Sequence, residues 1–479
     1  MAKIIDSYKV KVNEILVNIE ITLDEEESVP KYNISILNIS KTTELILKKI
    51  RDEFVSKINI ADVDFSQVGT NKNIKQAFSN EIKILIKKYF PNIDDETSSL
   101  LVNHVIREYI GLGNIEILMQ DANLEEIVVN SAKEPVWVYH RKHGWLTTNI
   151  FIANERRVRH YITSIAREAN REITLLKPLM DARLETGDRV NATLNPISSR
   201  GNTLTIRKFR ERPWSIVDYI NTNTINYEGA ALIWLAVENE LSTIISGGTA
   251  SGKTSMLNTI SNLFPPNQRI ISIEDTRELT LPSTLHWVPM ETRLPNPEGK
   301  GEITMLDLVV NSLRMRPDRI IMGEIRRQKE AEVLFEAMHT GHSVYGTVHA
   351  NNSEETVIRL TNPPINVPKA MLAAISLVVV QSRNRRTGKR RTIEIAEITS
   401  TGDSRIIMRH DFVKDELVKV NEPKRIFETL HVFNGMSEED IHKDIKNKIF
   451  ILKQLVEKNV FDVDAIGKIM AQYYRKRAE

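Results

Sequence analysis

The sequence predicts an α/β protein. A core built on a largely parallel sheet spans residues 228–400, a smaller α+β domain precedes it at 95–212, and a mainly helical extension follows at 401–479. Three observations predict this. From 228 to 400 the pattern runs strand, Gly-rich turn, helix and strand again, as the βαβ units of a parallel sheet require. Ahead of that core, short strand-like stretches surround a helix-period run. Behind it, Ser437-Glu438-Glu439-Asp440 reads as a helix N-cap and acidic first turn before the periodic run Ile441 to Leu455.

Taken in order, residues 1–94 begin with strand-like alternation, Tyr8 to Ile21 and Tyr32 to Ile39, around an acidic cluster, Asp24 to Glu27. Helix-like spacing follows at Leu45 to Ile58 and Ala77 to Phe90, and Pro91 breaks it. This zone carries no chemical motif and reads as a partner-docking module. In the next zone an apolar period from Leu100 to Ile110 stops at Gly111-Leu112-Gly113. Strands are expected at Glu126 to Asn130, Pro135 to His140, Arg189 to Leu194 and Thr203 to Arg207, with a helix at Glu155 to Asn170. Residues 213–227, with Pro213 and an Asn/Thr run, read as a linker. The longest apolar run, Ala370 to Gln381, falls short of the roughly 20 residues a bilayer span needs and reads as a helix followed by a buried strand.

Composition narrows the classes. At 479 residues, and with one domain per roughly 150, the chain should be modular. Lys and Arg number 65 against 63 Asp and Glu, so a net charge of +2 supplies no global field for coating nucleic acid. The absence of cysteine excludes disulfides, Cys-ligated zinc and thiol catalysis together. Met1 to Glu20 lacks the basic, apolar and small-residue regions of a secretory signal, so the chain reads as cytoplasmic with at most peripheral membrane contact.

The chemistry concentrates in the 228–400 zone. Gly247-Gly248-Thr249-Ala250-Ser251-Gly252-Lys253-Thr254 fits G-x-x-x-x-G-K-[ST], between the apolar strand Thr243 to Ser246 and a helix-like run from Ser255 to Phe264. Loop amides and a helix N-terminus together make an anion cradle, with Lys253 in reach of the outer phosphates and Thr254 suited to Mg²⁺. A second strand, Arg269 to Ile273, ends in Glu274-Asp275, which either hold Mg²⁺ or order a water; alone, such a pair would be a solvated strand end. A third, Arg319 to Met322, ends in Gly323-Glu324, where a carboxylate can polarise an attacking water unless Arg326 or Arg327 merely pairs with it. His342 and His349 bracket the strand Ser343 to Val348; a lone His is more often structural, but beside a phosphate loop imidazole can sense the terminal phosphate.

These stretches, GGTASGKT, ISIEDTREL, LRMRPDRIIMGEIR and TGHSVYGTVHAN, resemble the Walker A, Asp box, atypical Walker B and His box of the type II/type IV secretion ATPases. Gly113 to Glu116, Ile127 to Asn130, Arg189 to Ala192 and Thr203 to Phe209 resemble that family's N-terminal domain, so the likeness spans about residues 100–400. It implies a homo-hexamer binding ATP and Mg²⁺ in a RecA-like P-loop domain capped by a PAS-like N-terminal domain. It also implies that Arg189 and Arg207 reach the phosphates on closure, that Glu324 is the base, and that Glu274 orders water or the metal shell. His342 and His349 become sensors, and Arg183 is a weaker phosphate-reaching candidate. Arg277, Arg293, Arg314 and Arg316 are alternative charge-neutralising fingers.

The tetracysteine motif of many bacterial relatives is absent, and EDTREL with a helical tail is similar to the archaeal branch. The resemblance therefore implies assembly of an archaeal type IV pilus on a polytopic membrane platform protein at the inner face of the cell membrane. The alternatives are an archaellum motor, a RecA-like nucleic-acid motor or a non-hydrolysing assembly switch. No basic track interleaved with aromatics favours nucleic acid. Arg383, Arg385, Arg386, Lys389, Arg390 and Arg391 form a basic hairpin-like segment, read either as a solvated connection or as a contact for an acidic partner or anionic membrane surface. Tyr473-Tyr474-Arg475-Lys476-Arg477 reads either as an exposed helix end or as a docking tail.

Overall fold

Hydrophobic alternation at the start of the chain produces strands whose inward residues need a partner layer, and the partner is supplied from far along the sequence. The structure, a computed structural model, describes residues 3–478 except 13–14, 25–26, 36–39, 58–71, 110, 210–211, 294, 297–298 and 385. The middle of the acidic cluster, the ends of the expected elements at Ile39, Ile58 and Ile110, and Arg385 lie outside the described residues. The chain divides into two units, Met1–Arg210 and Glu211–Glu479.

Unit one contains, in order, β1 (Lys3–Val12), β2 (Ile15–Leu23), β3 (Lys31–Ile34), α1 (Lys41–Lys57), α2 (Lys72–Tyr89), α3 (Asp95–Tyr109) and α4 (Ile115–Gln120). There follow β4 (Leu124–Val129), β5 (Trp137–His140), β6 (Gly144–Thr148), α5 (Glu155–Glu168), β7 (Leu179–Arg183), β8 (Arg189–Thr193) and β9 (Thr203–Arg207). The strands form one sheet of nine, ordered β1-β2-β3-β6-β5-β4-β9-β8-β7. A boundary at residue 94 is therefore not what the structure draws. Val10, Ile19, Ile21 and Tyr32 share a core with Leu118, Val138, Ile162 and Ile206, while α1, α2 and α3 bury Ile50, Ile82 and Val105 in a separate cluster. Asp121 ties the early strands down, because its Oδ2 accepts hydrogen bonds from Tyr8 (2.6 Å) and Tyr32 (2.7 Å). Burial and the adjacent carboxylate push both tyrosine hydroxyls well above their ordinary pKa, so they stay protonated donors.

Unit two opens with α6 (Ile216–Asn221) and α7 (Tyr227–Glu238), then β10 (Thr243–Gly247), α8 (Lys253–Ser261), β11 (Arg269–Glu274), β12 (His286–Glu291), α9 (Met305–Ser312), β13 (Arg319–Met322) and α10 (Gln328–His339). It continues through β14 (Ser343–Val348), α11 (Ser353–Thr361), a 3₁₀ turn (Lys369–Ala374), β15 (Leu377–Arg383), β16 (Arg390–Ile398), β17 (Ser404–Asp411) and β18 (Glu416–Lys419). Three helices end it: α12 (Lys424–Asn434), α13 (Glu438–Glu457) and α14 (Val463–Ala478). The second nine-stranded sheet is ordered β12-β11-β13-β14-β10-β15-β16-β17-β18. β12 through β15 are mutually parallel, and β16 to β18 add on antiparallel.

Two expectations change here. Residues 213–227 hold α6, closed by a capping box in which Ser215 and Asp218 exchange side-chain and backbone hydrogen bonds, and its Val217, Tyr219 and Ile220 are buried in the core of unit two. The extension from 401 begins with two strands that complete the sheet; the consecutive residues Ile407 and Met408 are both buried in the core, where the pairing with β16 shifts register, before the helices start.

The end of the chain is anchored. Lys448 is fully buried, its Nζ 2.5 Å from Glu238 Oε2 and 2.7 Å from Asp444 Oδ2. Arg477 Nη1 reaches the same two carboxylates at 2.9 and 2.8 Å. Two cations facing two anions offset the desolvation that either pair alone would leave. Trp234 Nε1 donates to Tyr474 Oη, which donates in turn to Leu263 O, so the terminal Tyr-Tyr-Arg stretch is an internal tie.

Candidate functional site

β10 lies between β14 and β15, so the loop that follows it emerges at the carboxyl edge of the parallel strands, between those two neighbours. That loop is shaped for a compact turn. A Cβ at Gly247 would stand 2.4 Å from Gln381 O and from Ser251 Oγ, so only glycine fits. Gly252, at φ +95°, is the left-handed N-cap of α8. Ser251 Oγ donates to Gly248 O (2.8 Å) and closes the turn. The concavity so formed, capped by the N-terminus of α8, has the backbone geometry of an anion cradle.

Lys253 folds back over the loop, donating from Nζ to Gly247 O (2.8 Å) and Gly248 O (2.9 Å). An ammonium has three N–H groups, so one remains for an incoming anion. Burial lowers the Lys253 pKa, and the Glu324 carboxylate opposes that shift. Thr254 and Ser255 follow on the first turn of α8.

Strand direction brings further residues to the same edge. Because β11, β13, β14 and β10 are parallel, their carboxyl ends align. Glu274 ends β11 buried, and its Oε1 accepts from the amides of Glu278 (2.8 Å) and Leu279 (3.1 Å), which fixes the carboxylate. Glu324 is held by its neighbours: Gly323 O accepts from Thr347 Oγ1 (2.6 Å) and Ile325 N donates to Thr347 O (2.9 Å). Its Oε2 is 2.9 Å from Arg326 Nη2, and Arg326 Nη1 is 2.8 Å from Asp275 Oδ2. The Glu324 hydrogen bond leads the rise in the Arg326 pKa. One guanidinium thus bridges both strand ends. His349 follows β14, and its Nε2 is 3.0 Å from Thr249 Oγ1 of the loop.

The two histidines separate. His342 precedes β14, so a six-residue strand, about 20 Å at the usual rise, lies between it and His349. Its Nδ1 is 3.2 Å from Ala337 O, at the opposite edge of the sheet. The sensor role expected of His342 therefore has no support from its position in this subunit. Arg314 and Arg316 precede β13 at that same far edge. Arg277 and Arg293 follow β11 and β12 in the chain; the Arg277 guanidinium lies 4.9 Å over Trp287, which pairs with Ile270 toward the amino end of the strands, and Arg293 Nε donates to Gly301 O (2.7 Å).

Within unit one, Arg207 is in register with Arg189, and Arg189 with Arg183, so three guanidinium side chains share one face across β9, β8 and β7. Arg183 also sits 5.8 Å over Phe209. The mixed α/β architecture, with its phosphate-loop edge, is the frame on which comparison with known proteins becomes specific. The profile described as "Type II/IV secretion system protein" matches residues 108–416.

The chain belongs to this family. An uncharacterized Methanocaldococcus jannaschii protein, MJ0900, is 34% identical over 78% of this chain and 69% of its own length. Type IV secretion system protein PtlH of Bordetella pertussis is 28% identical over 57% of this chain and 89% of its own. The X-ray structure of the Legionella pneumophila ATPase DotB is similar at 19% identity and a TM-score of 0.46, covering 74% of this chain and 93% of that one.

Sequence reasoning on this family member missed two neighbours of the loop. Arg390 Nε lies 3.4 Å from Ala250 O, and Tyr219 Oη lies 3.5 Å from Gly252 O. The signal for Arg390 was its place in a basic run, but charge alone did not separate it from Arg391. Arg391 is buried and paired through Nε with Asp415 Oδ1 (2.7 Å), and its Nη1 donates to Thr222 O (3.0 Å). Lys389 also reaches Asp415, at 3.5 Å. The basic segment is thus divided between structural pairing and the loop. Among the described residues no cluster of three or more acidic or imidazole groups suits a metal ion by itself, and none of the described helices is long and apolar enough to cross a membrane.

Proposed function

We propose that this chain is a Mg²⁺-dependent ATP hydrolase that powers assembly of an archaeal type IV pilus. The observation that carries the hydrolase reading is the meeting of the loop at Gly247–Thr254, the carboxylate of Glu324 and the imidazole of His349 at one sheet edge. The cradle fits a polyphosphate: Gly247 leaves no room for a side chain, Gly252 takes the left-handed turn into α8, and Lys253 spends only two of its three N–H groups on loop carbonyls. Mg²⁺ fits a site that shares its ligands with phosphate, with Thr254 as the protein hydroxyl and Glu274 either a direct ligand or an orienter of metal-bound water. Bound Mg²⁺ supplies charge neutralisation for the displaced phosphate oxygens.

The chain's own residues do the rest. Lys253 moves from the loop carbonyls to the phosphate, and Glu324, released from Arg326, accepts the proton of an attacking water in line with the terminal phosphorus. His349 reports the presence of that phosphate to the loop through Thr249. Arg189 and Arg207, with Arg183 in the same row, close over the nucleotide from the first unit, and the movement between units is the exported work. A homo-hexamer at the cytoplasmic face of the membrane, engaging a polytopic platform protein and its anionic surroundings, is the working form. Relatedness to Methanocaldococcus jannaschii proteins supports the archaeal assignment.

Phosphate release from the purified protein tests this. The wild type should turn over ATP, and Glu324→Gln should bind ATP without releasing phosphate; full turnover by Glu324→Gln would remove the assigned base. For the cargo, a strain lacking the protein should lose its surface pili and regain them with the wild type but not with Lys253→Ala. Persistence of pili in that strain would rule out this filament.

A further inference from the structure

The loop at Gly247–Thr254 has two flanks, and the proposed hydrolysis uses only one. In the strand order β11-β13-β14-β10-β15-β16, Glu274, Glu324 and His349 all lie on the β14 side of β10. A triphosphate whose terminal group meets Glu324 must extend its nucleoside end away from that side, toward β15 and β16. There the antiparallel direction of β16 puts its first residue, Arg390, at the same sheet edge as the carboxyl ends of the parallel strands, opposite Arg383.

Arg390 is built into that flank. Its Cδ and Nε lie 3.4 and 3.8 Å from the Cβ position at Gly252, and Tyr219 Oη lies 3.8 Å from the same point. Nε is directed at Ala250 O at 3.4 Å. Among the described residues the two Nη groups of Arg390 hold no hydrogen bond, and no carboxylate pairs with it. Four N–H donors therefore remain in a planar fork beside the N-terminus of α8. The support beneath is fixed. Thr392 N donates to Thr224 O (2.7 Å), Thr224 Oγ1 to Arg390 O (3.2 Å), and Arg391 Nη1 to Thr222 O. These bonds stitch the end of α6 to the start of β16, so the segment that reads as a linker helps to hold Arg390 and Tyr219 against the loop.

We propose that Arg390, backed by Tyr219, is the nucleoside-end wall of the site and binds the phosphate oxygens nearest the ribose. This rests on nucleotide binding at the loop, and it assigns to Arg390 a ligand contact in place of a partner or membrane contact. ADP and ATP carry that inner phosphate alike, so Arg390 should contribute equally to both.

Calorimetric titration of the full chain with ADP and with ATP tests the assignment, on the wild type, Arg390→Met and Arg390→Lys. Methionine keeps an apolar stem against Gly252 and removes only the guanidinium. Arg390→Met should weaken ADP and ATP by the same factor, on the order of tenfold, as expected for a lost charge-assisted contact, and raise KM more than it lowers kcat. Arg390→Lys should recover part of the affinity. Unchanged affinity in Arg390→Met overturns the proposal, as does a loss confined to ATP, which would mark a contact to the terminal phosphate. Equal losses in both variants with a matching fall in Tm would also overturn it, showing a mere brace of the loop. Failure of the wild type to bind either nucleotide would instead sink the phosphate-loop reading on which this one stands.

Discussion

At the carboxyl edge of the parallel strands in unit two stand Lys253, Glu274, Glu324 and His349; at the amino edge of the same strands stand His342, Arg314 and Arg316. Both edges carry charge and imidazole, but their backbones differ. The carboxyl edge receives the N-terminus of α8 and a glycine-shaped concavity. The amino edge receives helix C-termini, such as that of α10 before His342, whose partial negative charge disfavours anions. Strand direction, more than residue type, decides which side chains reach the glycine-shaped loop where phosphate is proposed to bind.

The contrast can be broken by substitution, most strongly at Lys253. Lys253→Ala should lower kcat/KM for ATP by on the order of 10²- to 10³-fold, the usual loss for a preorganised transition-state donor; a loss under tenfold would show that the edge works without it. Glu324→Gln should lower kcat by roughly 10²-fold while ATP binding persists, since the amide keeps the side chain's shape but cannot accept the proton. His349→Ala, which forfeits one hydrogen bond to Thr249, should cost about tenfold or less in turnover. His342→Ala, at the far edge, should stay within about twofold of wild type, the scatter of an ordinary substitution away from the site. Phosphate-release assays on these four variants rank the edges, and a His342 effect equal to that of His349 would show that the amino edge takes part as well.

Much of this edge was legible because a phosphate loop is a local object: spacing, preceding strand and following helix lie within about 20 residues. The strands at Thr203–Arg207 and Ser343–Val348 and the cap at Ser437 are local in the same sense, and they stand where the pattern put them. What escaped was long-range. Nothing in the run Arg383 to Arg391 tells which arginine turns toward Ala250 and which toward Asp415, because the answer depends on the register of β16 against β15 and on where the hairpin at Asp415 returns. The segment 213–227 looked like a connection because of Pro213 and its Asn/Thr run; α6 is six residues long and buries Ile216 to Ile220 consecutively, so no helical period shows in the pattern. His342 and His349 bracket one strand and therefore stand at its opposite ends; what pattern alone left open is which end meets the loop, and the parallel pairing of β14 with β10 gives that end to His349.

The incorporation of β1, β2 and β3 into the first sheet has a practical outcome for anyone shortening this protein. Cutting at residue 94 would strip the outer strands from β6, expose its unpaired backbone as a template for intermolecular pairing, and strand Asp121 in an emptied pocket without its tyrosine donors. Insoluble material from such a truncation would say nothing about docking. The natural scissor point is the junction near residue 210, and the role of the early strands is better probed by altering their outward-facing residues one at a time, with the sheet left whole.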